Sequence, residues 1–314
     1  MSNQISAVAG AFLTLAVLAL AVGMGARLVP YGTPLSPLAR ILDGLAPWFL
    51  GVGVVCALFA LLFGSRLIGG LVLVVALIGG GAFLRHHLSQ TLPTVVGEAD
   101  LRILFFNVYH ENIKDPAGVA ALIDALDPDV AIFAEGSWLI PQYDEIASRF
   151  AFSSGLEGVE DGGLIMMAKT EPRRRWFLDL NPIWPHRYGV AEFDTPKGRF
   201  FVAGAHLVKP WFSGIAEEEI ERVASQLDWF DAPAIVMGDF NAAPWSRGLS
   251  DVLAQSGFKA PRMPVPTWPE SAGNFGIPID HALVKGARLV SLEAVGEGLG
   301  SNHRGLLATV RIGE

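Results

Sequence analysis

Ala234-Ile235-Val236-Met237-Gly238-Asp239-Phe240-Asn241 joins an apolar run to a carboxylate and a carboxamide two residues apart. Side chains on a strand alternate faces with period two, so Asp239 and Asn241 project on one side where a buried strand leaves its sheet. A strand followed by an Asx turn reads the same way. The company of this stretch makes the reading sharper. Asn107 closes the run Leu101-Arg102-Ile103-Leu104-Phe105-Phe106, Glu135 closes Val130-Ala131-Ile132-Phe133-Ala134, and His206 closes Arg199 to Ala205. Asp280-His281 opens a strand at Ile279, and Ser301-Asn302-His303-Arg304 precedes the run Gly305 to Ile312. Apolar strands that each carry or abut a polar group at one end suit a site built along one rim.

The chain between these strands alternates with helices. Asp115-Pro116 offers a cap and a first-position proline, and Val119, Leu122, Ile123 and Leu126 form an apolar stripe before Pro128. Gly162-Gly163 leads into a strand at Leu164-Ile165-Met166-Met167, and Ser213 to Phe230 reads as a helix. Glu217-Glu218-Glu219 reads as its exposed first turn, where acids suit the helix dipole. Arg173-Arg174-Arg175 after Glu171-Pro172 reads as a solvated strand edge.

Taken in order, Asn107, Glu135, His206, Asp239-x-Asn241, Asp280 and His303 resemble the motif set of the endonuclease/exonuclease/phosphatase superfamily over residues 100–314. The resemblance implies an α/β (α+β) fold, a four-layer α/β/β/α sandwich of two mostly antiparallel sheets. It also implies cleavage of a phosphoester with Mg²⁺, or Mn²⁺ in its place. Glu135 and Asn107 would then serve the metal, since Mg²⁺ prefers hard oxygen ligands and keeps several waters. Asp239 would position the attacking water and Asn241 would donate to the phosphoryl oxygens. His303 would act as general base or phosphate contact, Asp280 would fix its tautomer, and His206 would contact phosphate or assist the leaving group. His281 should point to the opposite face. The family's usual Ser-Asp-His reads Ser301-Asn302-His303 here, a lost charge that should weaken metal affinity. Arg222 with Gln226 on one helix face is a further candidate, beside Asn302. Pro244-Trp245-Ser246 and Pro266-Thr267-Trp268-Pro269 read either as a substrate wall or as rigid packed loops.

The first 90 residues are of another kind. Mean hydropathy is +0.41 over 314 residues, and the excess lies in uncharged runs at about 4–26, 45–65 and 67–84. Each is long enough to cross a hydrocarbon core of roughly 30 Å. Three transmembrane helices preceding the catalytic domain follow, with 1–90 as anchor, 91–99 as linker and 100–314 as enzyme. A cleaved signal would leave the second and third spans in place, and Met1-Ser2-Asn3-Gln4 lacks its basic start. Gly69, Gly70, Gly79, Gly80 and Gly81 offer places for close helix packing. Arg27 and Arg40 in the first loop and Arg85 after the third run, against Arg66 in the second loop, pull the first loop and the domain inward. An N-terminus that stays inside puts the domain outside, the face expected for a bacterial cell-membrane enzyme of this kind. The sole cysteine, Cys56, lies within the second run and carries no information on compartment.

Charge narrows the substrate. Of 23 Lys and Arg four precede residue 97, and of 31 Asp and Glu only Asp43 does. Residues 97–314 therefore hold 19 basic against 30 acidic side chains, a net of −11. Duplex-binding nucleases offer a basic footprint, so a phospholipid or small phosphoester is favoured. A divalent-metal nuclease and a catalytically silent membrane module are the alternatives. The lipid bilayer and the substrate are the expected partners, with no protein partner.

Overall fold

The computed structural model describes residues 2–109, 116–156 and 163–313, and the chain divides into two compact units. One holds the chain up to Ser89 together with Trp245–Arg247. Its helices are α1 (Ser2–Gly25), α2 (Ser36–Gly44), α3 (Ala46–Phe63) and α4 (Arg66–Gln90). Three stretches, Ser6–Leu28, Ala46–Phe63 and Arg66–Gln90, are long and apolar enough to cross a membrane. The last runs past the expected end at residue 84, because Arg85-His86-His87-Leu88-Ser89-Gln90 contains no glycine or proline to stop it. Ala16, Cys56 and Ala57 pack inside with Phe12, Val72 and Leu73, while Leu18, Val55, Leu62, Leu71 and Ile78 face outward. Of the glycines, Gly79 leaves room for Met24, whose Sδ lies 2.7 Å from where a Cβ would stand, whereas Gly80 and Gly81 meet open space. Trp245 is buried; its indole N–H donates to Gly44 O at 2.9 Å and its ring lies against Trp48, Phe83 and His87. The packed-loop reading of that tryptophan holds.

The second unit, Gln90–Pro244 and Gly248–Glu314, begins with β1 (Thr91–Leu92), β2 (Leu101–Asn107), α5 (Pro116–Leu126), β3 (Val130–Ala134) and α6 (Tyr143–Ala147). It continues through β4 (Phe152–Ser154), β5 (Leu164–Ala168), β6 (Arg174–Leu178), β7 (Tyr188–Thr195), β8 (Gly198–His206) and α7 (Ile215–Leu227). It ends with β9 (Ala234–Asp239), α8 (Arg247–Ser256), β10 (Ala260–Pro261), β11 (Asp280–Lys285), β12 (Ala287–Val295) and β13 (Gly305–Ile312). Asp115 and Gly162, read as a cap and a turn, lie outside the described residues.

Two sheets face each other, a six-stranded one in the order β12-β13-β2-β3-β5-β4 and a five-stranded one in the order β11-β9-β8-β7-β6. Pairing is antiparallel except between β2 and β3 and between β8 and β9. Those are the strands joined through α5 and α7, since a parallel pair needs a crossover. The apolar runs are continuous because both faces are buried. Ile103, Phe105, Ile132, Ile235 and Met237 enter the layer between the sheets. Leu104, Phe106 and Phe133 pack outward with Val119 and Ile123 of α5, while Val236 packs outward with Val223 and Leu227 of α7. The result is the expected α/β/β/α sandwich.

Two readings change. The segment 91–99 is no free linker: Thr91–Leu92 pair with Ala260–Pro261, Gln90 Nε2 donates to Ser250 O, and Val95 N donates to Leu289 O. Glu219 is buried rather than exposed, because it falls on the stripe Ala216, Glu219, Val223 and Leu227 that α7 turns to the core.

Candidate active site

Strand register assembles the site. Asp239 ends β9 opposite Asp280 on one side and His206 on the other. Tyr188 pairs with Ala205, so the ladder carries Arg187 to His206, where His206 N donates to Arg187 O at 2.9 Å. Arg187 Nε donates back to His206 O at 2.7 Å. Asp280, Asp239, His206 and Arg187 thus form one row along the rim of the five-stranded sheet. By the period of two, Asp239 and Asp280 continue the inward faces of Met237 and Ala282, and Asn107 continues that of Phe105 in the opposite sheet. The cleft is the polar end of the layer whose other end is apolar core. Gly238 is needed for the close approach of β8: a Cβ there would stand 2.1 Å from Ala205 O.

Asn107 crosses between the sheets, its Nδ2 donating to Asp239 Oδ2 at 3.1 Å and to Glu135 Oε1 at 3.3 Å. Its Oδ1 accepts from Tyr109 N at 3.0 Å. Asn107 in this geometry orients two carboxylates through its amide nitrogen. Glu135 by strand parity would face α5, but it adopts φ 55° and ψ 35°, a left-handed turn that brings its carboxylate back into the cleft. There Oε1 lies 3.4 Å from His206 Nε2.

His303 Nδ1 lies 3.0 Å from Asp280 Oδ2 and its Nε2 lies 3.8 Å from Asp239 Oδ2. The loop carrying it is pinned by Ser301, whose Oγ donates to Asn107 O at 2.7 Å and accepts from His303 N at 3.0 Å. Burial pulls the imidazole pKa down, but Asp280 and Asp239 outweigh that and push it up to about 9. At neutral pH this ring donates. Burial raises the Asp239 carboxyl and neighbouring Asp280 raises it further, against the opposing pull of His303 and His206. Asn241, at φ 48°, gives its backbone N–H to Asp239 Oδ1 at 2.8 Å and one amide hydrogen to Leu207 O at 2.8 Å. An amide has two such hydrogens, so one remains to donate.

The remaining candidates fall elsewhere. Arg222 is half exposed and holds Glu218 at 2.6 Å. Asn302 accepts Glu270 N on its backbone oxygen, and its buried Oδ1 has no hydrogen-bond partner among the described residues. His281 turns away as expected: its ring nitrogen lies 2.7 Å from Ala242 O, and burial lowers its pKa to about 4. The 266–269 loop supports the site from behind, Thr267 Oγ1 accepting Ile279 N and Asp280 N.

Arg187 was not read from sequence, and Glu219 was read only as part of an exposed first turn. Arg187 is 7% exposed, and its side chain's only hydrogen bond among the described residues is the one from Nε, leaving the terminal amines uncommitted. Burial lowers its pKa, opposed by Glu219, Glu135 and Asp239. The same rule that found the other rim residues applies to it, a polar side chain abutting the apolar strand at Tyr188. Glu219 accepts Val208 N at 2.6 Å and the Asn181 amide, and burial raises its pKa.

A model of the Endonuclease/Exonuclease/phosphatase family matches residues 104–303, and the chain belongs to that family. It is accordingly a hydrolase of ester bonds of the phosphoesterase and nuclease class. Nothing among curated proteins matches it significantly. Among solved structures, an endonuclease/exonuclease/phosphatase from Beutenbergia cavernae DSM 12333 is similar at TM-score 0.54 and 18% identity, over 69% of this chain and 72% of that one. D. rerio TDP2, complexed with a single-strand DNA product, gives TM-score 0.57 and 16% identity over 67% of this chain and 98% of its own. A Bacteroides thetaiotaomicron VPI-5482 mannosyl-6-phosphatase gives 0.53 and 14% over 68% and 100%. At these identities the likeness is one of fold.

Proposed function

We propose that the chain is a membrane-anchored, Mg²⁺-dependent phosphoesterase whose site is Glu135, Asn107, His206, Asp239, Asn241, Asp280 and His303. The observation that carries this reading is the buried Asp239 carboxylate. It stands beside Asp280, no Lys or Arg lies at ion-pair distance from it among the described residues, and the two carboxylates share the His303 imidazolium, whose Nε2 is 3.8 Å from Asp239 and whose Nδ1 is 3.0 Å from Asp280. Two buried carboxylates sharing one cation remain short of positive charge, which is expensive, and a hard divalent cation suits carboxylate oxygens. The donor set fits. Glu135 and Asp239 would hold the cation with Asn107 aligning them, and bound Mg²⁺ would supply charge stabilisation to the phosphoryl group.

The chain's own groups divide the rest of the work. Asp239 positions the attacking water and takes its proton as oxygen bonds to phosphorus. Protonated His303 turns Nε2 to a phosphoryl oxygen while Asp280 holds Nδ1–H. The free amide hydrogen of Asn241 and the terminal amines of Arg187 donate to the same oxygens as charge builds. His206, on Glu135, serves the leaving oxygen.

The three apolar helices support anchoring in a cell membrane, and an N-terminus that stays inside would put the catalytic unit on its outer face. The net charge of −11 on residues 97–314 favours a lipid-linked or small phosphoester over duplex nucleic acid. The test is hydrolysis by the purified full-length protein, in detergent, of phosphodiesters, phosphomonoesters, phospholipids and single-stranded DNA, with Mg²⁺, Mn²⁺ or chelator. Full-length protein is required because a fragment starting at 97 would lose β1. Metal-dependent turnover that disappears in Glu135→Ala and His303→Ala supports the reading; metal-independent turnover, or turnover indifferent to both substitutions, refutes it.

A further inference from the structure

Along one side of the cleft runs a chain of rings. Arg187 Cζ lies 5.8 Å from the Trp184 ring, whose centroid is 5.3 Å from that of Phe212. Phe212 stands 6.5 Å from Trp211, and Lys209 Nζ lies 5.7 Å from Trp211 and 5.9 Å from Tyr109. Tyr109 is tied back to Asn107. The arc therefore starts and ends on residues of the site. Its outer members stand in solvent: Trp211 is 56% exposed, Ile183 55% and Phe212 37%.

These side chains are held out by polar fixing of their loops. Asn181 Oδ1 accepts Ile183 N and Trp184 N, and its amide donates to Glu219. The same carboxylate accepts Val208 N at the root of the 209–212 loop. One buried acid thus fixes both loops that carry the arc, with apolar surface of Trp211, Ile183 and Phe212 turned to water. A contiguous exposed apolar patch of this kind marks a surface for a partner.

We propose that the arc Tyr109, Ile183, Trp184, Lys209, Trp211 and Phe212 is a docking surface for phospholipid headgroups. Tryptophan and lysine together match a membrane interface, the ring at headgroup depth and the ammonium on phosphate. Charge suits this face to a lipid phosphate, since Lys209 places its ammonium between the rings of Trp211 and Tyr109. Docking here would face the phosphoryl site toward lipid headgroups. The proposal rests on the reading of the N-terminal helices as membrane spans.

The test uses full-length protein in a Cys56→Ala background with a single environment-sensitive fluorophore attached through Trp211→Cys, Ile183→Cys or, as a control, Trp229→Cys. Trp229 is 79% exposed after the end of α7 and outside the arc. Each variant is reconstituted into vesicles of phosphatidylcholine and phosphatidylglycerol containing nitroxide-labelled lipid, and floated on a density gradient. Expected are blue-shifted emission at 211 and 183, several-fold stronger quenching there than at 229, and a loss of that difference on adding Lys209→Glu. Co-flotation with equal quenching at all positions overturns the docking surface and leaves the anchor standing. Failure to float with the vesicles overturns both. A probe at 211 that responds only to a soluble phosphoester makes the arc a substrate wall and also overturns the proposal.

Discussion

Glu192 on β7 and Asp239 on β9 are carboxylates of the same sheet, 0% and 1% exposed, yet they live in opposite electrostatic worlds. Glu192 receives Arg174 at 2.6 Å and Arg199 at 3.3 Å, and the Arg174 hydrogen bond holds its carboxyl below the usual range despite burial. Asp239 receives amides from Asn107 and Asn241, faces a second carboxylate, and is raised. The first is a finished ion-pair network. The second is a site left short of positive charge, which substrate and cation chemistry would complete. The difference is therefore testable by asking what each region does when a charge is added or removed.

The largest effects belong to the unfinished region. His303→Ala removes the cationic donor above Asp239 and should lower kcat by about 10²–10⁴-fold, read against unchanged thermal unfolding. Arg187→Met keeps much of the buried stem and removes the uncommitted amines. By the usual weight of one transition-state donor, turnover should fall about 10²–10³-fold. A fall confined to KM would place Arg187 in ground-state binding instead.

His281 separates burial from catalysis in the same strand as Asp280. It is neutral in the fold, with a pKa of about 4 against 6.5 unfolded. Between those values the unfolded chain binds the extra proton, so stability is complete above 6.5 and declines as pH falls toward 4. The shift corresponds to about 3 kcal/mol at full development. His281→Gln retains a donor for Ala242 O and should flatten the acid slope of Tm in the full-length protein. An unchanged slope would remove His281 from the account.

Much of this was legible because strands buried on both faces read as unbroken apolar runs, and their polar terminators fall in register. Asn107, His206, Asp239 and Asp280 needed only the period of two and a guess at pairing. Glu135 needed more: its aim depends on a left-handed backbone at φ 55°, which no side-chain pattern announces. Glu219 was masked by Glu217 and Glu218, whose company suggested solvent although the spacing to Val223 and Leu227 placed it on the buried stripe. Asn302 shows the opposite limit. The sequence marked it as a departure, but its one hydrogen bond among the described residues runs through its backbone oxygen to Glu270.

The smallest effects distinguish the two carboxylates most directly, because the same change should act with opposite sign. Glu192→Gln leaves Arg174 and Arg199 facing a neutral amide. Both arginines reach water, so the loss should be about 1 kcal/mol and insensitive to Mg²⁺. Asp239→Asn removes a charge that burial and Asp280 already disfavour, and an amide oxygen can still accept from Asn107 and Asn241. Without metal, Tm should therefore rise. With metal the order reverses: wild type gains RT ln(1 + [L]/Kd), about 2.7 kcal/mol at a hundredfold excess over Kd, and Asp239→Asn gains little. A Tm that falls in Asp239→Asn without metal would mean that His303 and the amides have already balanced this charge, and the inference of a cation from a shortage of positive charge would fail.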